Sequence, residues 1–445
     1  MQKFDVVVVG GRCAGSSLAI RLARRGMRVC VLDRARFPSE TPSTHVIQPC
    51  GVRILAELGV LDQALAAGAV PIDRFTLVNE DVRIDAVGEP QEFGAPGLCL
   101  RRLTLDALLV RAAAAAGAEV RTGCRVRALI TAGGRVVGVS SDRGPVHARL
   151  VVGADGRHST VASQVRAAEY HVTPAGRMPA WAYYEGVDDT EGRLRLARRG
   201  ELAFLASPTD GGLYLAGVAP AVGRREEFAR DRDRQFTAGL ATWPELADLL
   251  AGARRVGPIR LMTDWHGYFR QSAGPGWVLV GDAGHFKDFT PAQGISDALR
   301  QARQLAPGIE RGLGGTGSID TEMLRWWQWR DRDAYEMYWF ARDLGAPGRS
   351  SPLITRVLRD IAANRDATLA LLRVLNHDQP PAQLFTPRRL AASALRALRD
   401  RPDRIPATLT EIAAAVRDEV RRARRRRLTP PGTPALASSS LVSPG

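Results

Sequence analysis

KFDVVVVGGRCAGSSLAIRLARRGMRVCVLD, Lys3 to Asp33, decides the fold. Residues 6–9 are all valine, and a strand with no polar face is a central strand of a parallel sheet. Ala14 to Arg25 then places Leu18, Leu22 and Ala23 on one helical face, and Gly26 stands where a helix ends in a left-handed residue. Met27 to Asp33 is apolar again and ends on an acid. Strand, helix and strand within about 30 residues form a βαβ unit, which sets its two strands side by side and parallel.

The turn inside this unit reads Gly10-Gly11-Arg12-Cys13-Ala14-Gly15. Phosphate-binding turns of this kind use glycine at the first, third and sixth places, for the tight turn, the approach of a pyrophosphate and helix-on-strand packing. Arg12 occupies the third place, so a side chain stands where backbone should meet phosphate. A guanidinium can itself pair with phosphate, and the expectation is a site kept by that different contact. Asp33, followed by Arg34, is placed to accept ribose hydroxyls. The turn implies a dinucleotide site without separating FAD from NAD.

A second stretch narrows the cofactor: VLVGDAGHFKDFTPAQGISDALRQA, Val278 to Ala302. It reads as a strand (Trp277 to Val280) ending in Gly281-Asp282, a polar loop, then Pro291, Gly294 and Ile295 opening a helix. A helix start presents free N–H groups and partial positive charge, and the Asp282 carboxylate offers two acceptors for hydroxyls. That pairing suits the ribityl chain and the N1–C2=O edge of a reduced flavin. VVGADGRHS (Val151 to Ser159) adds Asp155-Gly156 after another apolar strand, which alone is no more than a turn.

The rest of the chain reads as a helix over Pro49 to Leu58, strands over Val70 to Val87 closed by the turn GEP, and a helix over Leu105 to Ala116. Alternating strands with a Gly133-Gly134 hairpin follow, then a parallel-type strand in RLVVGADG. Antiparallel strands over Met178 to Val218 precede helices at Arg224 to Leu240 and Glu245 to Leu250. Late helices are expected at Thr321 to Arg342, Pro352 to Val374, Arg388 to Leu398 and Thr410 to Arg427. The class is therefore α/β: a discontinuous Rossmann-like FAD-binding domain (1–70, 99–165 and 258–312) interleaved with a mixed/antiparallel-sheet substrate domain (71–98 and 166–257). A helical C-terminal region (318–428) and a disordered tail (429–445) complete it.

The charge is +15, from 62 basic and 47 acidic residues, yet only Lys3 and Lys287 are lysines. Arginine and alanine richness is read as composition with a solvated surface, so no nucleic-acid partner is expected. RRARRRR (Arg421 to Arg427) before a Pro/Ser-rich tail is read as a solvated helix end. Five cysteines, odd in number and without CxxC spacing, argue against a disulfide framework or zinc site, and no metal is expected. No run of about 20 apolar residues exists to span a bilayer. The N-terminus goes directly into a strand, which reads as a cytoplasmic protein.

Taken in order, GGRCAG, ADG and GDAGHFKDFTPAQG resemble the three signatures of FAD-dependent class A flavoprotein monooxygenases, which have the para-hydroxybenzoate hydroxylase fold shared with geranylgeranyl reductases and flavin-dependent halogenases. The resemblance covers roughly residues 1 to 310. It implies that Gly10, Gly11, Cys13, Ala14, Gly15 and Asp33 surround the ADP part, and that Arg102, four before Asp106, contacts the FAD phosphate and ribityl region. It further implies an adenine-side backbone contact from Val126, a link of Asp155-Gly156 to both FAD and NADPH, a ribityl contact from Gly281-Asp282, and a place beside the isoalloxazine for Pro291 to Ile295. Arg12 for glycine and Asp33 for the more usual glutamate depart from the pattern.

The chemistry so implied is reduction of FAD by NADPH or NADH, addition of O2 at C4a, and transfer of the hydroperoxide's distal oxygen to a small hydrophobic, aromatic or polycyclic substrate. The cofactor carries the hard steps, so no nucleophile or metal pattern is required. His45, His285 and Lys287 are the candidates for proton handling. A double-bond reductase of the geranylgeranyl type, or a dehydrogenase, would use the same motifs. A halogenase would need a lysine between flavin and substrate and a WxWxIP segment. Residues 4 to 286 contain no lysine, and Trp326 to Trp329 is followed by Arg330-Asp331. The aromatic run RWWQWRDRDAYEMYWFAR (Arg325 to Arg342) reads as core packing, with a lid over the substrate as the alternative.

Overall fold

A computed structural model describes residues 3–189, 191–315, 317–400 and 405–426. Lys3–Val9 runs parallel to Val29–Asp33 on one side and to Gly144–Gly153 on the other, and Val6 to Val9 are buried as their sequence demands. Glu119–Thr122 and Trp277–Leu279 extend the parallel set outward. Antiparallel strands Arg135–Ser141, Val126–Ala132 and Ala273–Gly274 bring the sheet to eight strands. Helices Cys13–Ala23, Arg102–Ala115 and Gly294–Leu313 cover one face, burying Leu18, Leu22, Leu105, Leu109, Leu299 and Leu305 against Val6, Val8 and Val31. The parallel strands thus deliver Gly10, Asp33, Asp155 and Asp282 to one end. Open α/β sheets place ligands beyond the carboxyl ends of their strands.

The second sheet has seven strands, in the order Arg254–Leu261, Ala180–Glu185, Leu213–Ala219, Leu202–Thr209, Arg193–Arg199, Arg74–Asn79, Val82–Val87. It is mixed: Arg193–Arg199 lies parallel to Arg74–Asn79, because these strands come from two separate excursions of the chain. Arg254–Leu261 pairs with Ala180–Glu185 and so carries this sheet across the break expected at 257/258. The helix expected from Arg224 to Leu240 divides into Arg225–Arg230 and Arg232–Ala241, since Asp231 leaves helical geometry and its side chain accepts the Arg234 N–H.

Ile319–Leu344 is a single long helix. Met323, Trp326 and Trp327 pack on Leu305 and Ile309, while Tyr335, Tyr338 and Trp339 pack on Phe269. The aromatic run is therefore core. The segment expected as one helix over Pro352 to Val374 forms two, Pro352–Ala362 and Arg365–Leu375, because the Asn364 side chain caps the second by accepting the Ala367 N–H at 2.9 Å. Pro387–Asp400 and Ile405–Arg426 complete the region. Arg422 in the basic run makes two 2.7 Å contacts with Asp343. The tail expected at 429–445 lies outside the described residues. Among the described residues no helix is long and apolar enough to cross a membrane.

Candidate functional site

One cavity of about 560 Å³ runs from the ends of the parallel strands to the inner face of the seven-stranded sheet. Of the residues singled out in the sequence, Gly10, Arg12, Cys13, Ala14, Asp33, Arg34, Arg102, Val126, Asp155, Gly156, Gly281, Asp282, Lys287, Gly294 and Ile295 line it. Gly11, Gly15, His45 and Pro291 stand behind the wall. The far end is apolar, with Leu205, Leu215, Met262 and Phe289. An apolar chamber reached past convergent polar groups is a usual form of a small-molecule site.

The phosphate-binding turn is closed by contact. A Cβ on Gly10, whose φ is +101°, would lie 2.4 Å from the Ala154 carbonyl oxygen. The Gly11 N–H donates to Asp33 Oδ2 at 2.7 Å, and the Ala35 N–H donates to Oδ1 at 2.7 Å. The loop thus fixes the Asp33 carboxylate at the cavity wall.

Arg12 does not extend free into the space left by the missing glycine. Its guanidinium donates to Asp106 Oδ2 at 2.5 Å and to Ser39 Oγ at 2.8 Å. Arg102 donates from Nε to the other oxygen of the same carboxylate at 2.9 Å. Asp106 is fully buried, so one carboxylate holds two arginines against the cavity wall. Sequence reading passed over Asp106 as more than a spacer, although its i,i+4 relation to Arg102 was a visible signal.

Asp282 is different. Among the described residues no donor reaches its carboxylate, while its backbone carbonyl accepts the Tyr268 hydroxyl at 2.6 Å. Burial lifts its pKa to about 6, against the pull of Arg102 and Arg157. A half-buried carboxylate facing a cavity with unused acceptors fits a ligand that brings hydroxyl donors. Its folded pKa lies above the unfolded 3.8, so the folded chain binds the extra proton between those values and loses stability as pH rises through them. Asp282→Asn has no such slope. In cofactor-free protein its unfolding free energy should gain on wild type between pH 4 and 6, by up to about 2 kcal/mol, and stay level above pH 7. Denaturant titrations at four pH values read this, and a difference that is flat throughout refutes it.

Asp155 spends its carboxylate locally. It accepts Ser159 Oγ–H at 2.5 Å and the Thr160 N–H at 2.7 Å, and so secures the Thr160–Gln164 helix beside the cavity. His45 is held in a left-handed conformation at φ +63°, with Nδ1 accepting the Arg102 N–H at 3.3 Å and Nε2 2.6 Å from the Tyr183 hydroxyl. Burial, aided by the charge of Arg102, lowers its pKa to about 3, so the ring is neutral and Nε2 is the donor. Both ring nitrogens are engaged, one on the Arg102 N–H, and His45 itself does not line the cavity. His285 lies in the cavity wall, stacked edge-on against Phe269 with centroids 4.5 Å apart. Lys287 is buried and pairs with Asp297, a partner ten residues on that sequence reading did not find, at 2.7 Å.

A nucleotide-type parallel sheet, a glycine turn opening on a buried acid, and a late strand-loop-helix carrying an unpaired carboxylate define a dinucleotide-dependent oxidoreductase. A family model described as "FAD binding domain" matches residues 3–321. The 6-methylpretetramide 4-monooxygenase of Streptomyces rimosus is 30% identical over 319 residues, covering 69% of this chain and 76% of that protein. The flavin-dependent brominase Bmp2 superposes with a TM-score of 0.72 at 19% identity, covering 91% of this chain and all of that one. PqsL of Pseudomonas aeruginosa, described as a probable FAD-dependent monooxygenase, gives a TM-score of 0.66 at 16% identity, over 88% of this chain and 99% of that one. The chain belongs to the FAD-binding-domain family and is an FAD-dependent oxidoreductase.

Proposed function

We propose that the protein is a monooxygenase that uses NADPH or NADH and O2 to hydroxylate a small aromatic or polycyclic molecule in the cytoplasm. The carrying observation is that one cavity joins the dinucleotide loops to an apolar chamber, so that FAD and a substrate would share one space. FAD, when bound, supplies hydride acceptance and oxygen activation. Arg12 and Arg102, aligned by Asp106, would meet the pyrophosphate, Asp33 the ribose hydroxyls and Asp282 the ribityl hydroxyls. The N–H groups at the start of Gly294–Leu313 would favour negative charge on the reduced ring. The wall made by Leu205, Leu215, Met262 and Phe289 would exclude water and hold a flat apolar substrate.

The test is purification, an absorption spectrum, and NADPH oxidation under air and under argon against a panel of aromatic compounds. Substrate-stimulated O2 uptake with one oxygen atom from ¹⁸O2 in the product supports the proposal. NADPH-driven reduction of a substrate double bond under argon selects the reductase reading instead, and a halide-dependent product selects a halogenase. Asp282→Ala should weaken FAD binding at least tenfold, since a hydrogen bond to a charged group is worth about 1.5–3 kcal/mol. Fluorescence titration of stripped protein with FAD measures it; unchanged affinity removes Asp282 from the site.

A further inference from the structure

Asp297 lies in the first turn of the Gly294–Leu313 helix. A carboxylate there suits the helix but cancels the positive potential that the same helix end presents to the cavity. Lys287 Nζ stands 2.7 Å from Asp297 Oδ2, with side chains only 6% and 12% exposed, and both residues line the cavity. The other oxygen faces His377 Nε2 at 2.8 Å, off the line of an ideal hydrogen bond, and Arg300 at 3.9 Å, itself engaged by Asp333 at 2.8 Å. Burial works against the carboxylate of Asp297, but Lys287 and His377 outweigh it and hold the pKa well below the usual range. Burial likewise lowers the pKa of His377, against the pull of Asp297.

Stability alone does not account for such a pair, because two desolvated charges recover little more than their burial cost and an apolar pair would often do as well. In a chain with only one other lysine, Lys3, an ammonium at the cavity wall calls for a use that arginine does not serve. Resting on the FAD placement above, we propose that Lys287 and Asp297 set the electrostatic potential at this helix start and thereby the balance between oxidised and reduced FAD. Hydride from the nicotinamide brings two electrons and one proton to the ring, leaves NAD(P)⁺, and adds one negative charge. Lys287 favours that charge and Asp297 opposes it; His377 is a positioning residue for Asp297.

The experiment measures the midpoint potential of FAD-loaded protein by equilibration with a reference dye, beside the affinity for oxidised FAD. Lys287→Met should bind reduced FAD about tenfold less tightly relative to oxidised FAD, which for a two-electron couple lowers the potential by about 30 mV. Asp297→Asn should shift it the other way by a similar factor, and the double variant should return close to wild type. If Lys287→Met does not fold, the opposite shift of Asp297→Asn tests the proposal alone. Potentials that stay unchanged, or that move in one direction for both single variants, overturn it while leaving the functional reading intact. Wild-type protein that takes up no FAD overturns that reading, and this inference with it.

Discussion

Gly15→Ala should cost about 3 kcal/mol of stability and at least tenfold in FAD affinity, the upper end of what overpacking usually does. The added Cβ would lie 1.8 Å from the Gly10 carbonyl oxygen and 3.1 Å from Val8 Cγ1. Neither neighbour can give. Val8 is in the central strand, and Gly10 is itself pressed against Ala154, where a Cβ on Gly10 would be 2.4 Å from the Ala154 carbonyl oxygen. Relief must come from lifting the Cys13–Ala23 helix, which carries the N–H groups of the phosphate turn away with it. Denaturant unfolding and FAD titration read the two effects. Wild-type stability with full FAD content would show that the close approach of helix and strand has no consequence.

Asp106→Ala is expected to lower stability by about 3 kcal/mol, the usual size for removing one partner from a buried ion pair. Two guanidinium groups lose their common acceptor, and among the described residues neither donates to a second carboxylate. Both arginines are more than two-thirds buried, so solvent compensates little. Asp106→Asn keeps an acceptor oxygen and should fall between the two. The alanine variant should also bind FAD with a steeper dependence on salt, because freed arginines meet phosphate as loose charges. A thermal midpoint equal to that of wild type would mean that the two arginines find other partners without cost.

What the sequence made legible is what a local pattern can encode. Four successive valines and an acid-terminated second strand announced the parallel sheet. The Gly294 helix start was visible because Pro291 and Gly294 punctuate it. What stayed hidden depends on distant segments meeting. Lys287 and Asp297 share a short stretch, but nothing in its spacing says that the loop folds back on the first helical turn. The parallel pairing of Arg193–Arg199 with Arg74–Asn79 joins segments more than a hundred residues apart, where alternation gives faces but not partners. The break at Asn364 was missed because an apolar period continued across a residue whose side chain prefers to cap.

The turn after the Arg365–Leu375 helix reaches back to three points near the start of the Gly294–Leu313 helix and the Pro49–Glu57 helix. Gln293 Nε2 donates to the Leu375 carbonyl at 2.8 Å, the Cys50 N–H donates to Asn376 Oδ1 at 2.7 Å, and His377 faces Asp297. The C-terminal helices are consequently not an interchangeable module. A recombinant enzyme that grafts this region from a relative, to alter its substrate range, also inherits foreign neighbours for Cys50, Gln293 and Asp297. Selectivity and reactivity in this scaffold are inherited together.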